Sequence, residues 1–152
     1  MKISTLLKII HMETKPELKK YSKVENPENK EKKVFKILLA EDHKHLRESL
    51  KFFLEDEGYV VETVGNGQLL LDKLAVGGYD LVITDQNMPV LEGLEALKKI
   101  KTTEETKNLP VIVFSSDERI QTVVEKSGGI FCDKGDSERL FTTIAKLLEN
   151  AK

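Results

Sequence analysis

Short apolar runs alternate with longer segments of helical periodicity from Val34 to the end of the chain. The runs are rich in Val, Ile and Phe and lack polar alternation, as strands buried on both faces do. Between them, leucine and isoleucine recur at the spacing of one helix face. Five such units in succession predict an α/β fold built around a parallel sheet. The predicted strands cover residues 37–40, 59–64, 79–84, 111–115 and 130–132.

Polar side chains stand at the ends of four of the five predicted strands. They are Glu41 and Asp42 after the first strand, Asp85 after the third, Ser115 at the end of the fourth and Lys134 beyond the fifth. Ligands of open α/β sheets bind outside the carboxyl ends of the strands, so these residues are expected to share one site. Taken singly, each also fits a turn, a helix cap or a solvated surface.

These residue types suit the chemistry of phosphoryl groups. Three carboxylates at close quarters repel one another unless a cation lies among them, and hard oxygen ligands with room for water suit Mg²⁺. Lys134 adds a compact positive charge and Ser115 a hydroxyl donor, both of which suit a phosphoryl oxygen. A carboxylate can itself act as the nucleophile and form an aspartyl phosphate.

Charge and composition narrow the class of protein. Residues 1–33 carry nine lysines and five acids, a net charge of +4, which leaves −6 for residues 34–152 because the whole chain carries −2. The first part is predicted to be a charged, disordered leader, although Ile3, Leu6, Leu7 and Ile10 also fit a short amphipathic helix. The acidic remainder is a poor surface for DNA, so no direct DNA binding is expected.

Cysteine content and hydropathy indicate the compartment. A single cysteine, Cys132, excludes an internal disulfide and is compatible with a reducing environment. No stretch approaches the ~18 apolar residues that a membrane span requires. The sequence therefore predicts a cytoplasmic protein without a membrane span.

Residues 34–152 resemble the receiver domain of two-component response regulators. The most specific piece is residues 85–93, which read Asp-Gln-Asn-Met-Pro-Val-Leu-Glu-Gly and look like the family's phosphoacceptor loop. The resemblance implies a doubly wound, flavodoxin-like (βα)5 fold with strand order 2-1-3-4-5, for which receivers are themselves an example. The other motif positions fall on the acidic pair Glu41 and Asp42, the hydroxyl residue Ser115, the switch aromatic Phe131 and the lysine Lys134.

The family's chemistry is phosphoryl transfer in signalling, without turnover of a substrate. The resemblance implies that a sensor histidine kinase or a histidine phosphotransfer protein donates the phosphoryl group to Asp85. Mg²⁺ would be held by Asp42, Asp85 and the Asn87 carbonyl, with Glu41 acting through water. Ser115 would then turn toward the phosphoryl group and Phe131 would pack inward. The surface of helix four, strand five and helix five would change for a protein target that the sequence does not identify.

Departures from the family's pattern concern the end of strand five and the segment before it. Gly135 stands where proline is usual and is expected to leave that loop freer. Ser116 replaces a smaller residue, and the short interval from Ser115 to Lys134 predicts a trimmed fourth helix.

Two other functions are also compatible with the sequence. One is a receiver-like docking module that works without phosphorylation. Another is an aspartyl-phosphate hydrolase of the haloacid dehalogenase type, in which an acid is needed where this chain has Asn87. His43 and His45, two residues apart at a helix start, are expected to make a poor metal pair. Because the chain ends with the fifth predicted helix, a stand-alone receiver is expected.

Overall fold

The computed structural model describes residues 32–149, which form five strands and the helices that connect them. The strands are β1 (Lys36–Ala40), β2 (Val60–Val64), β3 (Leu81–Thr84), β4 (Val111–Ser115) and β5 (Ile130–Asp133). The α-helices are α1 (Lys44–Asp56), α2 (Gly67–Val76), α3 (Gly93–Thr102), α4 (Gln121–Lys126) and α5 (Ser137–Glu149). All strands pair in parallel in the order β2-β1-β3-β4-β5, so the predicted fold class and strand order are confirmed.

Helices cover both faces of the sheet. Strand β1 shows why its run is continuously apolar, since Leu38 and Ala40 pack with one core cluster while Ile37 and Leu39 pack with the other. Helices α2, α3 and α4 contribute buried side chains to the first cluster. Helices α1 and α5 contribute theirs to the second, which makes the sheet doubly wound.

Local signals in the sequence explain where the helices begin. Asn66 caps α2 by accepting a hydrogen bond from the backbone N–H of Leu69 at 2.9 Å. Asp136 does the same for α5, accepting a hydrogen bond from the backbone N–H of Arg139 at 2.9 Å. Helix α4 has six residues and follows a 3-10 turn at Glu118–Ile120, which agrees with the predicted trimming.

The register of the sheet sets the position of the site. Ala40, the last residue of β1, lies opposite Thr84 at the end of β3, so the residues that follow emerge side by side. Ser115 at the end of β4 is level with Asp133 at the end of β5. The four strand ends therefore meet at one edge of the sheet.

The N-terminal prediction falls mostly outside the described residues. Residues 1–31, and with them the proposed leader and its alternative amphipathic helix, are not described, so the division at residue 33 stays a prediction. Between residues 32 and 149, every helix is too short or too polar to cross a lipid bilayer.

Candidate functional site

The loop after β3 holds Asp85 at the centre of the sheet edge. Its backbone N–H donates to Ala40 O at 2.9 Å, and its side chain Oδ1 accepts from Gln86 N at 2.8 Å. The carboxylate is buried, with 6% of the side chain exposed. The turn closes where Gly93 N donates to Gln86 O at 3.0 Å. A Cβ at Gly93 would lie 2.0 Å from Asp85 O, so the first residue of α3 has to be glycine for this approach.

Lys134 joins two of the predicted carboxylates. Its Nζ lies 2.9 Å from Glu41 Oε2 and 3.0 Å from Asp85 Oδ1. Burial opposes the ammonium charge, but the hydrogen bonds that Lys134 donates to Glu41 and Asp85 outweigh it and raise the pKa of Lys134. The lysine is therefore held charged between two buried acids. Its own backbone N–H donates to Ser115 O at 3.2 Å, which ties β5 to β4 at the same edge.

Glu41 and Asp42 lie in a turn whose backbone carbonyls are hydrogen-bonded by the side chain of Arg47. Arg47 Nη1 donates to Glu41 O at 2.6 Å and to Asp42 O at 3.2 Å. Glu41 is buried, whereas 29% of the Asp42 side chain is exposed. One carboxylate of the pair thus faces Lys134 and the other is open to an ion from solvent.

A third donor, His43, stands beside this pair. His43 Nδ1 lies 3.2 Å from Asp42 Oδ1 and 3.6 Å from Glu41 Oε1. In the described part of the chain, Glu41, Asp42 and His43 each present a ligand atom, and all three atoms lie within 4.8 Å of one another. Asp85 is not part of that trio, but Lys134 contacts both Asp85 and Glu41. His45 does not join it, as expected for a histidine two residues further on.

The donor set fits a hard divalent cation. Carboxylate oxygens of Asp42 and Asp85 flank the edge of the sheet, and Asn87 on the following loop is exposed. The role of the Asn87 backbone carbonyl as a Mg²⁺ ligand stays a prediction.

Ser115 and Phe131, the predicted switch residues, are both buried. Ser115 Oγ accepts a hydrogen bond from Asp117 N at 3.1 Å, so the hydroxyl is engaged in the turn that precedes α4. Phe131 is 3% exposed and packs in the core cluster of α2, α3 and α4. The Phe131 ring therefore lies in the core, and its role as a switch residue stays a prediction.

Gly135 lies in a hydrogen-bonded turn, and whether it leaves that loop freer than a proline would stays a prediction. Its backbone N–H donates to Asp133 Oδ1, and Asp136 N donates to Asp133 O at 3.0 Å. A proline has no N–H to donate, so the glycine replaces a rigid ring with a hydrogen-bonded turn. Ser116 is exposed, and whether it hinders access to Asp85 stays a prediction.

Sequence reasoning missed His43 as a donor and Arg47 as a support. Both follow from the start of α1, because His43 is the extended N-cap residue at φ −72° and ψ 107°, outside the helix. Helical spacing therefore does not apply to its side chain. Arg47 lies one turn into α1, from which a long side chain reaches back to the carbonyls of the preceding turn. In the sequence, the signal for a third donor is a histidine that directly follows an acidic pair at a strand end.

Known proteins with similar sequence and structure share this architecture. The profile of the response regulator receiver domain matches residues 37–128. Chemotaxis protein CheY-3 of Vibrio cholerae is 34% identical over 94 residues, which cover 61% of this chain and 72% of that protein.

Two crystal structures extend the comparison. The response regulator protein TrrA from Thermotoga maritima, in complex with Mg²⁺-BeF, is 30% identical with a TM-score of 0.66, covering 75% of this chain and 99% of that one. A chain in the complex of the histidine kinase ThkA with TrrA is 31% identical with a TM-score of 0.69, covering 76% of this chain and 99% of that one.

Proposed function

The chain belongs to the response regulator receiver family of two-component phosphorelay systems, and on that premise we propose that Asp85 accepts a phosphoryl group from a phosphohistidine in a Mg²⁺-dependent reaction. The single observation that carries the proposal is the buried Asp85 carboxylate, held by Lys134 beside the acidic pair. Receiver domains are signalling modules, and this chain is proposed to signal without turning over a substrate.

One oxygen of Asp85 is fixed and the other is available for attack. Within residues 32–149, the hydrogen bond from Gln86 N and the ion pair with Lys134 both fall on Oδ1. Every fully buried side-chain oxygen or nitrogen among those residues has a partner, and none of the hydrogen bonds found there involves Oδ2, so Oδ2 retains some contact with solvent. Oδ2 would form the new O–P bond while the P–N bond of the phosphohistidine breaks, and the imidazole leaves and takes up a proton.

The groups around Asp85 suit stabilisation of the transferred charge. The charged Lys134 is already aimed at the carboxylate and needs no reorganisation when negative charge develops on the phosphoryl oxygens. Receiver domains bind Mg²⁺ at an acidic pocket. Here Asp42 and Asp85, the Asn87 carbonyl and, through water, Glu41 would hold the ion, which supplies charge neutralisation at the phosphoryl oxygens.

Signalling would follow from the residues at the ends of β4 and β5. Ser115 would exchange its hydrogen bond with Asp117 N for one with a phosphoryl oxygen. Because that bond anchors the turn into α4, its loss would shift α4 relative to Phe131 and change the surface presented to a target. We assign this switch role to Ser115 and Phe131 as part of the proposal.

The donor is proposed to be a sensor histidine kinase or a histidine phosphotransfer protein. Support comes from the similar chain in the complex between the histidine kinase ThkA and TrrA. The proposal places the chain in the cytoplasm, a reducing compartment with which its buried thiol, Cys132, is compatible. The proposed downstream target is a protein, because the net negative charge of residues 34–152 disfavours binding to DNA.

Incubation with a small acyl phosphate donor, followed by intact mass measurement, tests the proposal. We expect one phosphoryl adduct in Mg²⁺, none in chelator and none in Asp85→Asn. The matched control is Asp72→Asn, which removes an exposed carboxylate on α2 and should leave the adduct intact. Absence of the adduct in wild type would favour a docking module, and steady phosphate release from many phosphate esters would favour a hydrolase.

A further inference from the structure

A nitrogen ligand stands at the edge of the proposed Mg²⁺ site. The imidazole of His43 lies next to both acids of the pair, with Nδ1 3.2 Å from Asp42 Oδ1 and 3.6 Å from Glu41 Oε1. An octahedral ion with ligands at ~2.1 Å places neighbouring donors about 3.0 Å apart, and a tetrahedral ion about 3.4 Å apart. The 3.2 Å separation lies between these two values and is also that of a hydrogen bond between His43 Nδ1 and Asp42 Oδ1, whereas the 3.6 Å separation from Glu41 is slightly longer. A small inward movement of the side chains would therefore let the three donors share one metal ion.

The backbone holds this spacing in place. His43 N donates to Glu41 Oε1 at 3.1 Å, and Arg47 binds the carbonyls of Glu41 and Asp42. The side chain of His43 makes no capping hydrogen bond to α1, and 79% of it is exposed. When the neutral ring carries its proton on Nε2, Nδ1 presents a lone pair toward the carboxylates. The turn thus presents two oxygens and one nitrogen to an incoming ion.

We infer that His43 is a metal ligand that shifts the cation preference of the acidic site from Mg²⁺ toward first-row transition ions such as Co²⁺ and Zn²⁺. The inference rests on the proposed function, because it concerns the same cation site. Carboxylate, carbonyl and water ligands suit Mg²⁺, whereas imidazole suits Zn²⁺ and its neighbours. The site would accept Mg²⁺ through Asp42 and Asp85 and would bind transition ions more tightly through the added nitrogen.

The consequence is a receiver whose cofactor depends on the ions present. Zn²⁺ or Co²⁺ bound by Glu41, Asp42 and His43 would engage Glu41 through Oε1, while Lys134 keeps its contact with Oε2. Transition ions are therefore expected to compete with Mg²⁺ for this turn.

Direct binding of Co²⁺ and Mg²⁺ to the full chain tests the inference. Titration calorimetry gives the two affinities, and visible absorption of bound Co²⁺ reports directly on nitrogen ligation. We expect His43→Ala to lower Co²⁺ affinity by about tenfold or more and to change the Co²⁺ spectrum. Mg²⁺ affinity should stay within about twofold, because Mg²⁺ gains little from imidazole. The substitution removes no cap of α1, so the variant should fold.

His45→Ala is the matched control, since it removes an exposed histidine two residues away and leaves His43 in place. It should match wild type in affinity and spectrum. Equal Co²⁺ affinity in His43→Ala and wild type, or an equal loss in the His45→Ala control, would overturn the inference. Failure of the proposed function has a different signature, because it removes the Mg²⁺-dependent phosphoryl adduct in wild type while Co²⁺ binding by His43 persists.

Discussion

Replacement of Lys134 by methionine removes the cation between two buried acids. Each contact, at 2.9 Å to Glu41 and 3.0 Å to Asp85, is worth about 5.5 kcal/mol of Coulomb energy at an effective dielectric constant of about 20. Desolvation of the ions offsets much of this, and removal of one partner from a buried pair costs about 3–5 kcal/mol. Because 22% of the Lys134 side chain is exposed, we expect the low end, about 3 kcal/mol.

Urea unfolding in the presence of chelator measures this loss. With a typical m value of about 2 kcal/mol/M, the midpoint of Lys134→Met should fall by about 1.5 M at pH 7. The pKa of Lys134 is raised in the folded state, so its contribution is complete below about pH 10 and disappears only as pH rises through the folded value. The difference between wild type and variant should therefore be constant from pH 7 to pH 9.

A matched control separates the site from the general effect of a lost lysine. Lys126→Met removes an exposed lysine at the end of α4 and should change stability by less than about 0.5 kcal/mol. If Lys134→Met also lost less than about 1 kcal/mol at pH 7, the account of a charged lysine clamped between two buried acids would be wrong.

Three further substitutions test other parts of the structure. Hydrogen bonds from Lys36 and Tyr79 lower the pKa of Glu62 to about 2, so its contribution is full above about pH 4.3 and is lost as pH falls through 2. Because Glu62 is 35% exposed, Glu62→Gln should cost about 1 kcal/mol in urea unfolding at pH 7 and little at pH 2, and equal costs at both would contradict this. Gly93→Ala should lose about 2 kcal/mol or more, because its Cβ would meet backbone atoms, whereas Gly65→Ala has space and should be near neutral. Val90→Asn should raise the melting temperature, because a β-branched residue is strained at φ 71°, and a lower melting temperature would refute that.

The fold was predictable because a parallel strand that is buried on both faces has a continuous apolar sequence. Residues 37–40 and 111–114 have no polar position, and the structure buries every one of them. The starts of two strands differ from the prediction, because the strands predicted over 59–64 and 79–84 begin at Val60 and Leu81. Such ends depend on pairing across the sheet, which a single segment does not encode.

The proximity of Glu41, Asp85 and Lys134 was predictable, and the contacts of the surrounding turns were less so. A shared strand edge brings Glu41 and Asp85 to the same lysine. The position of His43 depends on its extended N-cap backbone, and the turn at Gly135 depends on a carboxylate two residues earlier. Hydrophobic periodicity describes residues inside helices and strands, so it did not predict the positions of residues in the turns between them.

Identification of the modified residue tests the central claim most directly. After phosphorylation in Mg²⁺, borohydride reduction converts an acyl phosphate on aspartate to homoserine, and peptide mass mapping locates it. We predict homoserine at position 85 and unmodified side chains at Glu41 and Asp42. A phosphoryl group found on any other residue, or a modification at position 85 that forms equally well in chelator, would contradict the account.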